Sequence, residues 1–244
     1  MGTDYKTRIY ESYTSNQVSQ IVNLQEMEAY YKTYDAYFKR NYLPFMPADK
    51  DAVMIDVGCG IGCFLNFAKK HGYTNVIGID ISKENVSFCE KMGFNVKMAD
   101  ARTYLNERDK EFSLVVFNEV IEHLEKQEVF DMLDAMKHSL KENGILLIKT
   151  PNMSNPYISL TSRYSDFTHT IGFTEISLKQ VLNAVGFSEV NIVGTDIYVF
   201  NPLVNVLAGV ISKLVCLRLY LTSYLFGRKY VKIFQKNLLA IARK

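Results

Sequence analysis

The sequence predicts an α/β domain, a parallel sheet with helices on both of its faces. Three observations carry this reading. Between residues 52 and 150, short apolar runs of strand length alternate with stretches whose apolar residues recur every three or four positions, the pattern of consecutive βα units. Gly58, Gly60 and Gly62 fall between the first apolar run and the first helical stretch, where a strand-to-helix turn needs backbone freedom. The length, 244 residues, suits one domain with an added element better than two full domains.

Residues 17–42 read as a helix, with Val18, Ile21, Leu24, Tyr31, Tyr34, Tyr37 and Phe38 at helical spacing, and Pro44 and Pro47 end it. The strands of the βα series are 52–57, 75–81, 95–98, 112–117 and 144–150, and its helices 63–70, 83–92 and 127–140. Right-handed crossovers restrict how such units can be ordered. After Pro151 comes a loop rich in Ser, Asn and Tyr that runs to Thr170. Residues 174–185 then read as a helix opened by Thr174, with Glu175 in its first turn and Gly186 as its stop. Two strands remain, 189–193 and 237–241, separated by about forty residues that a minimal hairpin does not need.

Hydrophobic residues at 48% and charged residues at 22% exclude a disordered chain, a collagen-like repeat and a multispanning membrane protein. Cys59, Cys63, Cys89 and Cys216 form no C-x-x-C pair, so neither a disulfide framework nor a zinc ribbon is expected, and a reducing cytoplasm fits. The N-terminal residues are polar, without the apolar core of a signal peptide. The longest uncharged stretch near the C-terminus, 197–212, has sixteen residues, short of the ~20 apolar residues of a spanning helix. Eight of the 28 Lys and Arg follow Asp196 and none of the 26 Asp and Glu does, so residues 1–196 carry 20 basic against 26 acidic groups, a body at −6 with a tail at +8.

The segment VMIDVGCGIG, residues 53–62, puts its glycines just after a strand and just before a helix, where backbone can approach a nucleotide or nucleoside and a helix N-terminus can face it. The dinucleotide fingerprint G-x-G-x-x-G is broken at Cys63, and Asp56, two residues before Gly58, would repel a pyrophosphate. A cationic ligand group tolerates that carboxylate. The second strand ends at Asp80, eighteen residues after Gly62, and an acid at such a tip can accept from both ribose hydroxyls.

These residues resemble the class I S-adenosylmethionine-dependent methyltransferases, whose first motif is an acid, one residue and then G-x-G-x-G. Asp56, Gly58, Gly60 and Gly62 match it, Asp80 matches the acid after the second strand, Asp100 in KMADA the acid after the third, and FNEVIEHLE, residues 117–125, the motif of the fourth. The resemblance covers about residues 50–195 with four motifs in order. It implies a Rossmann-like seven-stranded sheet, mostly parallel with an antiparallel last strand. It further implies an N-terminal helical cap (1–47), a catalytic core (48–199 and 234–244) and a helical insertion (200–233) within a single domain. By the same resemblance Gly58 and Gly60 pass the methionine part of the cofactor, Asp80 holds the ribose, Ile81 packs on adenine, Asp100 and Ala101 face its edge, and Asn118 lies at the cofactor edge. The sulfonium of S-adenosylmethionine brings an activated methyl group, so the protein must chiefly align the nucleophile and exclude water.

Glu119, Glu122 and His123 follow the fourth strand at the carboxyl edge of the sheet; if a helix begins near Val120, the three share a face. His169 comes from the loop after the fifth strand. Two carboxylates and two imidazoles suit a divalent ion such as Mg²⁺, Mn²⁺ or Fe²⁺. The pattern E-x-x-E-H with a later His is similar to the metal site of small-RNA 2′-O-methyltransferases, and E-x-x-E-H alone to that of ubiquinone-pathway O-methyltransferases. A metal-free alternative makes His123 or His169 the general base for a hydroxyl acceptor, and a third reading gives these groups no catalytic role. His71 and His138 read as surface residues.

Asp166, His169, Phe173, Thr174, Leu178, Gly186 and Phe187 together resemble bacterial surface-polysaccharide and glycan methyltransferases, which implies a sugar hydroxyl as acceptor, with Tyr157, Tyr164 and Phe167 offering aromatic faces. RNA is the competing acceptor, disfavoured by the −6 body. A non-catalytic cofactor-binding or membrane-adaptor protein is the alternative outside enzymes. The apolar, basic stretch 200–233 reads either as a pair of helices lying on an anionic inner membrane or as helices that pack on the sheet or form a homodimer interface. The expected location is cytoplasmic, with a peripheral place on the inner face of the membrane under the first of these readings. The N-terminal aromatic helix closes over the cofactor or is a plain core helix.

Overall fold

The computed structural model describes residues 5–10, 24–195 and 202–244. Residues 17–23 of the expected N-terminal helix, 196–199 of the expected core and 200–201 of the insertion lie outside these. The strands are β1 (Met54–Val57), β2 (Val76–Asp80), β3 (Val96–Met98), β4 (Phe112–Asn118), β5 (Leu140–Pro151), β6 (Glu189–Gly194) and β7 (Asn237–Arg243). They form one sheet in the order β3-β2-β1-β4-β5-β7-β6. β1 to β5 pair in parallel, and β7 runs antiparallel to both β5 and β6. This is the seven-stranded Rossmann-like arrangement that the resemblance implied. β5 starts four residues earlier than predicted because Leu140 pairs with Phe112 across a register shift, which carries the exposed polar residues 141–143 into the strand.

The helices are α1 (Tyr5–Tyr10), α2 (Leu24–Asn41), α3 (Cys63–Lys70), α4 (Lys83–Lys91), α5 (Ala101–Asn106), α6 (Lys126–Ser139), α7 (Ser159–Tyr164), α8 (Glu175–Val185) and α9 (Pro202–Leu225). Thr174 caps α8, its hydroxyl accepting from Ser177 N, and Gly186 closes it in the left-handed conformation, as the sequence predicts. α5 and α7 were not predicted: at six residues each they are too short to show a period. Asp100 nucleates α5 by accepting from Thr103 N at 2.9 Å.

Alternation along the central strands builds two cores. Val115 and Phe117 of β4 and Leu146 and Ile148 of β5 face α5, α6 and α8, while Leu114, Val116 and Leu147 face α2 and α3. A strand covered on both faces is apolar along its central run, which is why residues 114–117 of β4 read as one continuous stretch. Each buried side chain of this size contributes about 1.5–3 kcal/mol. The second core is aromatic: the ring of Phe38 on α2 lies 4.8 Å from Tyr42, 5.6 Å from Phe64 and 5.4 Å from Phe67. The C-terminal half of α2 is thus a layer of the core, whereas its N-terminal half reaches the glycine loop, where Tyr31 Oη donates to Ile61 O at 2.6 Å.

The 200–233 region departs from expectation. α9 is one helix rather than a pair, it continues through Lys213 and Arg218, and it is long and apolar enough to cross a membrane by length and composition. Counting uncharged residues understates it because a helix does not stop at a single Lys. Nor does it pack on the sheet: Leu207, Val210, Leu214, Leu217 and Leu221 are each more than half exposed.

Candidate active site

The strand order reverses between β1 and β4, which opens a crevice at their carboxyl ends. On its β1 side the chain turns into α3 through Gly58, Gly60 and Gly62, all at positive φ (71°, 52° and 78°). A side chain on Gly58 would meet Val120 at 2.5 Å, and one on Gly62 would meet Phe94 at 2.8 Å. Gly60 differs, since a Cβ there meets nothing within 4 Å among the described residues. Two of the glycines are demanded by packing, and the third fronts open space.

Asp56 is buried, and its Oδ1 has no hydrogen-bond partner among the described residues. Burial, and then the neighbouring Asp80, push its pKa up to about 8. Asp80 is also buried; its Oδ2 accepts from Gly60 N at 2.9 Å and its Oδ1 from Ser82 N at 2.8 Å. Burial raises the Asp80 pKa, and those backbone donors oppose the rise. Ile81 follows with 63% of its surface exposed, which leaves an apolar platform at the strand tip. Asp100 is exposed and held below the usual carboxylate range, first by the Thr103 N–H; Ala101 begins α5 behind it. Asn118 Oδ1 accepts from Tyr42 Oη at 2.5 Å, which ties the end of β4 to the aromatic core. A buried carboxylate oxygen without a partner, beside backbone that leaves room, fits the cationic end of S-adenosylmethionine.

The β4 side carries the second constellation. Glu122, His123 and His169 each bring one ligand atom into a group whose atoms all lie within 4.8 Å of one another. Gly58 packs against Val120, which directly precedes the 3-10 turn Ile121–His123, so glycine loop and cluster are neighbours. His169 is delivered by its flanks: Thr170 N and Ile171 N donate to Glu122 O at 2.8 and 3.1 Å, and Thr170 Oγ1 donates to Leu124 O. Its Nδ1 lies 2.6 Å from Ser162 O, an acceptor only, so Nδ1 carries the proton and the lone pair sits on Nε2. His123 has the same polarity. Its Nδ1 is 2.7 Å from Thr168 Oγ1, whose own proton goes to Asp166 Oδ1 at 2.6 Å, so Nδ1 donates and Nε2 holds the lone pair. The two rings stand 4.6 Å apart. Burial, and then His169, lower the pKa of His123 to about 4.

Glu119 does not join this group. It adopts φ 54° and lies outside the turn, so the expected shared helical face does not form. Its carboxylate, 40% exposed, pairs with the buried Lys149 at 3.1 Å. Burial works against Glu119 ionising, but the neighbouring Lys149 ammonium outweighs it and holds it below the usual range. Glu122 goes the other way: burial, and then Glu119, push it well above that range, and its Oε2 accepts from Thr150.

Sequence reasoning missed Lys149, Asp166 as a link to His123, and Thr168. The signal for Lys149 was a lone cation in an otherwise apolar strand; the Thr168 relay had none. It also missed Lys6 of α1, whose Nζ donates to His123 O at 2.8 Å, and Tyr5, which meets Phe167 edge-on at 5.9 Å. His138 is exposed as predicted. His71 is not a plain surface residue, because it is half-buried and lies 2.9 Å from Asp35.

Residues 30–192 match a family described as "Methyltransferase domain". Two ubiquinone biosynthesis O-methyltransferases are similar, one from Rickettsia prowazekii (35% identity over 103 residues) and a mitochondrial one from Dictyostelium discoideum (30% over 114). Each match covers 41% of this chain, and the chain spans only 40% and 35% of those relatives. Among solved structures, a SAM-dependent methyltransferase from Archaeoglobus fulgidus superimposes with TM-score 0.66 at 26% identity, over 88% of this chain and 94% of that one. The glycine loop, Asp80 at the second strand tip and the sheet order thus have one explanation: the chain belongs to the methyltransferase-domain family of S-adenosylmethionine-dependent enzymes.

Proposed function

We propose that the chain transfers a methyl group to a hydroxyl oxygen, with His169 and His123 taking up the hydroxyl proton. The observation that carries this is the pair of Nε2 lone pairs, each directed by an Nδ1 donor, beside the glycine loop. When bound, S-adenosylmethionine supplies a methyl group activated on a sulfonium. Asp56, Gly58, Gly60, Asp80 and Ile81 would hold it, with Asp100, Ala101 and Asn118 at the edges of its site. The acceptor oxygen must lose a proton as it attacks, and an imidazole Nε2 within hydrogen-bond reach accepts it. Ser162 O and the Thr168–Asp166 relay then share the resulting positive charge. Glu122, His123 and His169 would also hold a divalent ion, Mg²⁺ or Mn²⁺, which would lower the acceptor pKa instead; the mixed oxygen and nitrogen donor set fits such an ion.

The names of the curated relatives make a ring hydroxyl on a quinone precursor the first acceptor to test. A sugar hydroxyl of a glycan is the second reading, favoured by Tyr157, Tyr164 and Phe167, which are all more than half exposed on the loop that carries His169. The test is methyl transfer from labelled cofactor to phenolic quinone precursors, nucleotide sugars and glycans, and RNA, with and without chelator, read by product mass. A methylated phenol or sugar oxygen supports the first or second reading. A methylated RNA overturns both, and cofactor binding without transfer to any acceptor removes the catalytic assignment. Full turnover in excess chelator removes the ion.

A further inference from the structure

Helix α9 leaves the sheet and returns to it at one place. Thr195 N donates to Asn237 O at 3.0 Å, so the two ends of the excursion are hydrogen-bonded neighbours. The return is fastened as well: Lys232 N and Ile233 N donate to the Glu175 carboxylate at 2.9 and 2.7 Å, and Asn155 Nδ2 donates to the carbonyl of buried Phe234 at 2.7 Å. Between Leu225 and Lys232 the chain reaches about 25 Å at most. A bilayer's hydrocarbon core is about 30 Å thick. If α9 crossed it, the return could not cross back, and Arg228 and Lys229 would lie in hydrocarbon. Length and composition alone allow a span; the tether forbids it.

The exposed side chains say what the helix meets instead. Leu207, Val210, Leu214, Leu217, Leu221 and Tyr224 recur at alternating spacings of three and four, and such a repeat can seat a second copy. Parallel self-pairing, however, would bring Lys213 of each copy against Arg218 of the other, and no acidic residue follows Asp196 to relieve it. The apolar surface is also wider than a dimer seam, since Val206, Ile211, Leu225 and Phe226 are exposed beside it. The opposite side mixes Gly209, Ser212, Cys216 and Ser223 with Leu219, and all five are less exposed than the leucine stripe. Lys213, Arg218, Arg228, Lys229 and Lys232 are all exposed.

We propose that α9 is an in-plane anchor: it lies parallel to an anionic phospholipid surface, its leucine-rich side in the headgroup and acyl boundary and its cations at the lipid phosphates. The proposal stands independently of the acceptor. It places the catalytic crevice beside a bilayer, within reach of an acceptor that resides there.

The chain has no tryptophan, so full-length Leu217→Trp protein carries a single fluorescent reporter. Mixed with phosphatidylcholine/phosphatidylglycerol vesicles, it should blue-shift and co-sediment, more weakly as salt rises, while phosphatidylcholine vesicles alone bind little. Lipids brominated near the headgroup should quench it more than lipids brominated at the chain end. Replacing Arg228 and Lys229 by Glu in the same protein should weaken binding by at least roughly fivefold per cation. The double variant Leu214→Glu/Leu221→Glu should abolish vesicle binding while cofactor affinity, a check on folding, stays unchanged. Equal binding to neutral vesicles would overturn the anionic partner, and stronger quenching from the chain end would overturn the in-plane geometry. A solution dimer that Leu214→Glu/Leu221→Glu dissociates, with no vesicle binding by the parent, would make α9 a self-association helix.

Discussion

The two sides of the crevice are constructed differently. The β1 side is local: Asp56 to Gly62 and Asp80 to Ser82 belong to adjacent βα units, and backbone donors and positive φ shape it. The β4 side is assembled across the chain, with His123 bonded to Thr168 forty-five residues away and the 166–171 loop sewn onto the 121–124 turn through carbonyls and hydroxyls. A side made of backbone geometry accommodates one ligand shape and tolerates few substitutions. A side made of loop side chains can be rebuilt for another acceptor while the sheet stays the same, which is how one fold comes to serve many acceptors.

That contrast can be broken most severely at the cluster. His169→Ala should lower turnover by about 10²–10⁴-fold, measured under saturating cofactor, with cofactor affinity in calorimetry left within about twofold; a parallel loss of affinity would mean that the two sides are not separable. Gly60→Val should act on the other side alone. The open space before Gly60 lets the apo protein fold with only left-handed strain, about 1–2 kcal/mol, yet the new side chain occupies the place assigned to the cofactor, so affinity should fall tenfold or more. Gly72→Val, also at positive φ (81°) with nothing among the described residues within 4 Å of its Cβ, is the control with comparable strain and unchanged affinity.

Thr168→Val sharpens the contrast further. It removes the acceptor for His123 Nδ1 without touching the rings, and kcat should drop by about 10–100-fold while KM for the cofactor holds. An unchanged pH–rate profile in this variant would show that the relay only supports the loop. The smallest effect belongs to Asp56. In the folded protein it keeps its proton up to about pH 8, whereas the unfolded chain releases it near 4, so its contribution to apo stability is complete below about pH 4 and is lost as pH rises toward 8. A cationic cofactor favours the ionised form. Binding near neutral pH should therefore release a proton and tighten with pH by up to about tenfold per unit, visible as buffer-dependent calorimetric heats that vanish in Asp56→Asn.

Much of the β1 side was legible because it is written in consecutive residues: strand, acid, glycines, helix, then an acid at the next strand tip. The strands and the longer helices were legible for the same reason, each being a periodic run bounded by Pro, Gly or a capping Thr. The β4 side was legible only as residue types. Glu122, His123 and His169 could be named, but Glu119 was grouped with them because i, i+3 and i, i+4 spacing was read as helix, whereas the residue sits at positive φ and pairs with Lys149 on the neighbouring strand. Lys149 and Thr168 gain their roles from strand pairing and loop packing, which no local pattern encodes. The insertion was underestimated because Lys213 looks like an interruption in a linear count and is an ordinary position on a helix.

The position of β7 has a consequence for the order of events at the ribosome. Among the described residues β6 touches the sheet through β7 alone, and β7 follows α9 in the chain. Until residues 237–243 have emerged, β6 has no strand to pair with and β5 keeps an open edge, while the apolar helix has already left the exit tunnel. Ribosome-bound chains of increasing length should accordingly gain protease resistance in β6 only after Arg243 is exposed, whereas β1 to β5 can pair before it. During synthesis the nascent chain meets its surroundings with α9 before it meets them as a closed enzyme.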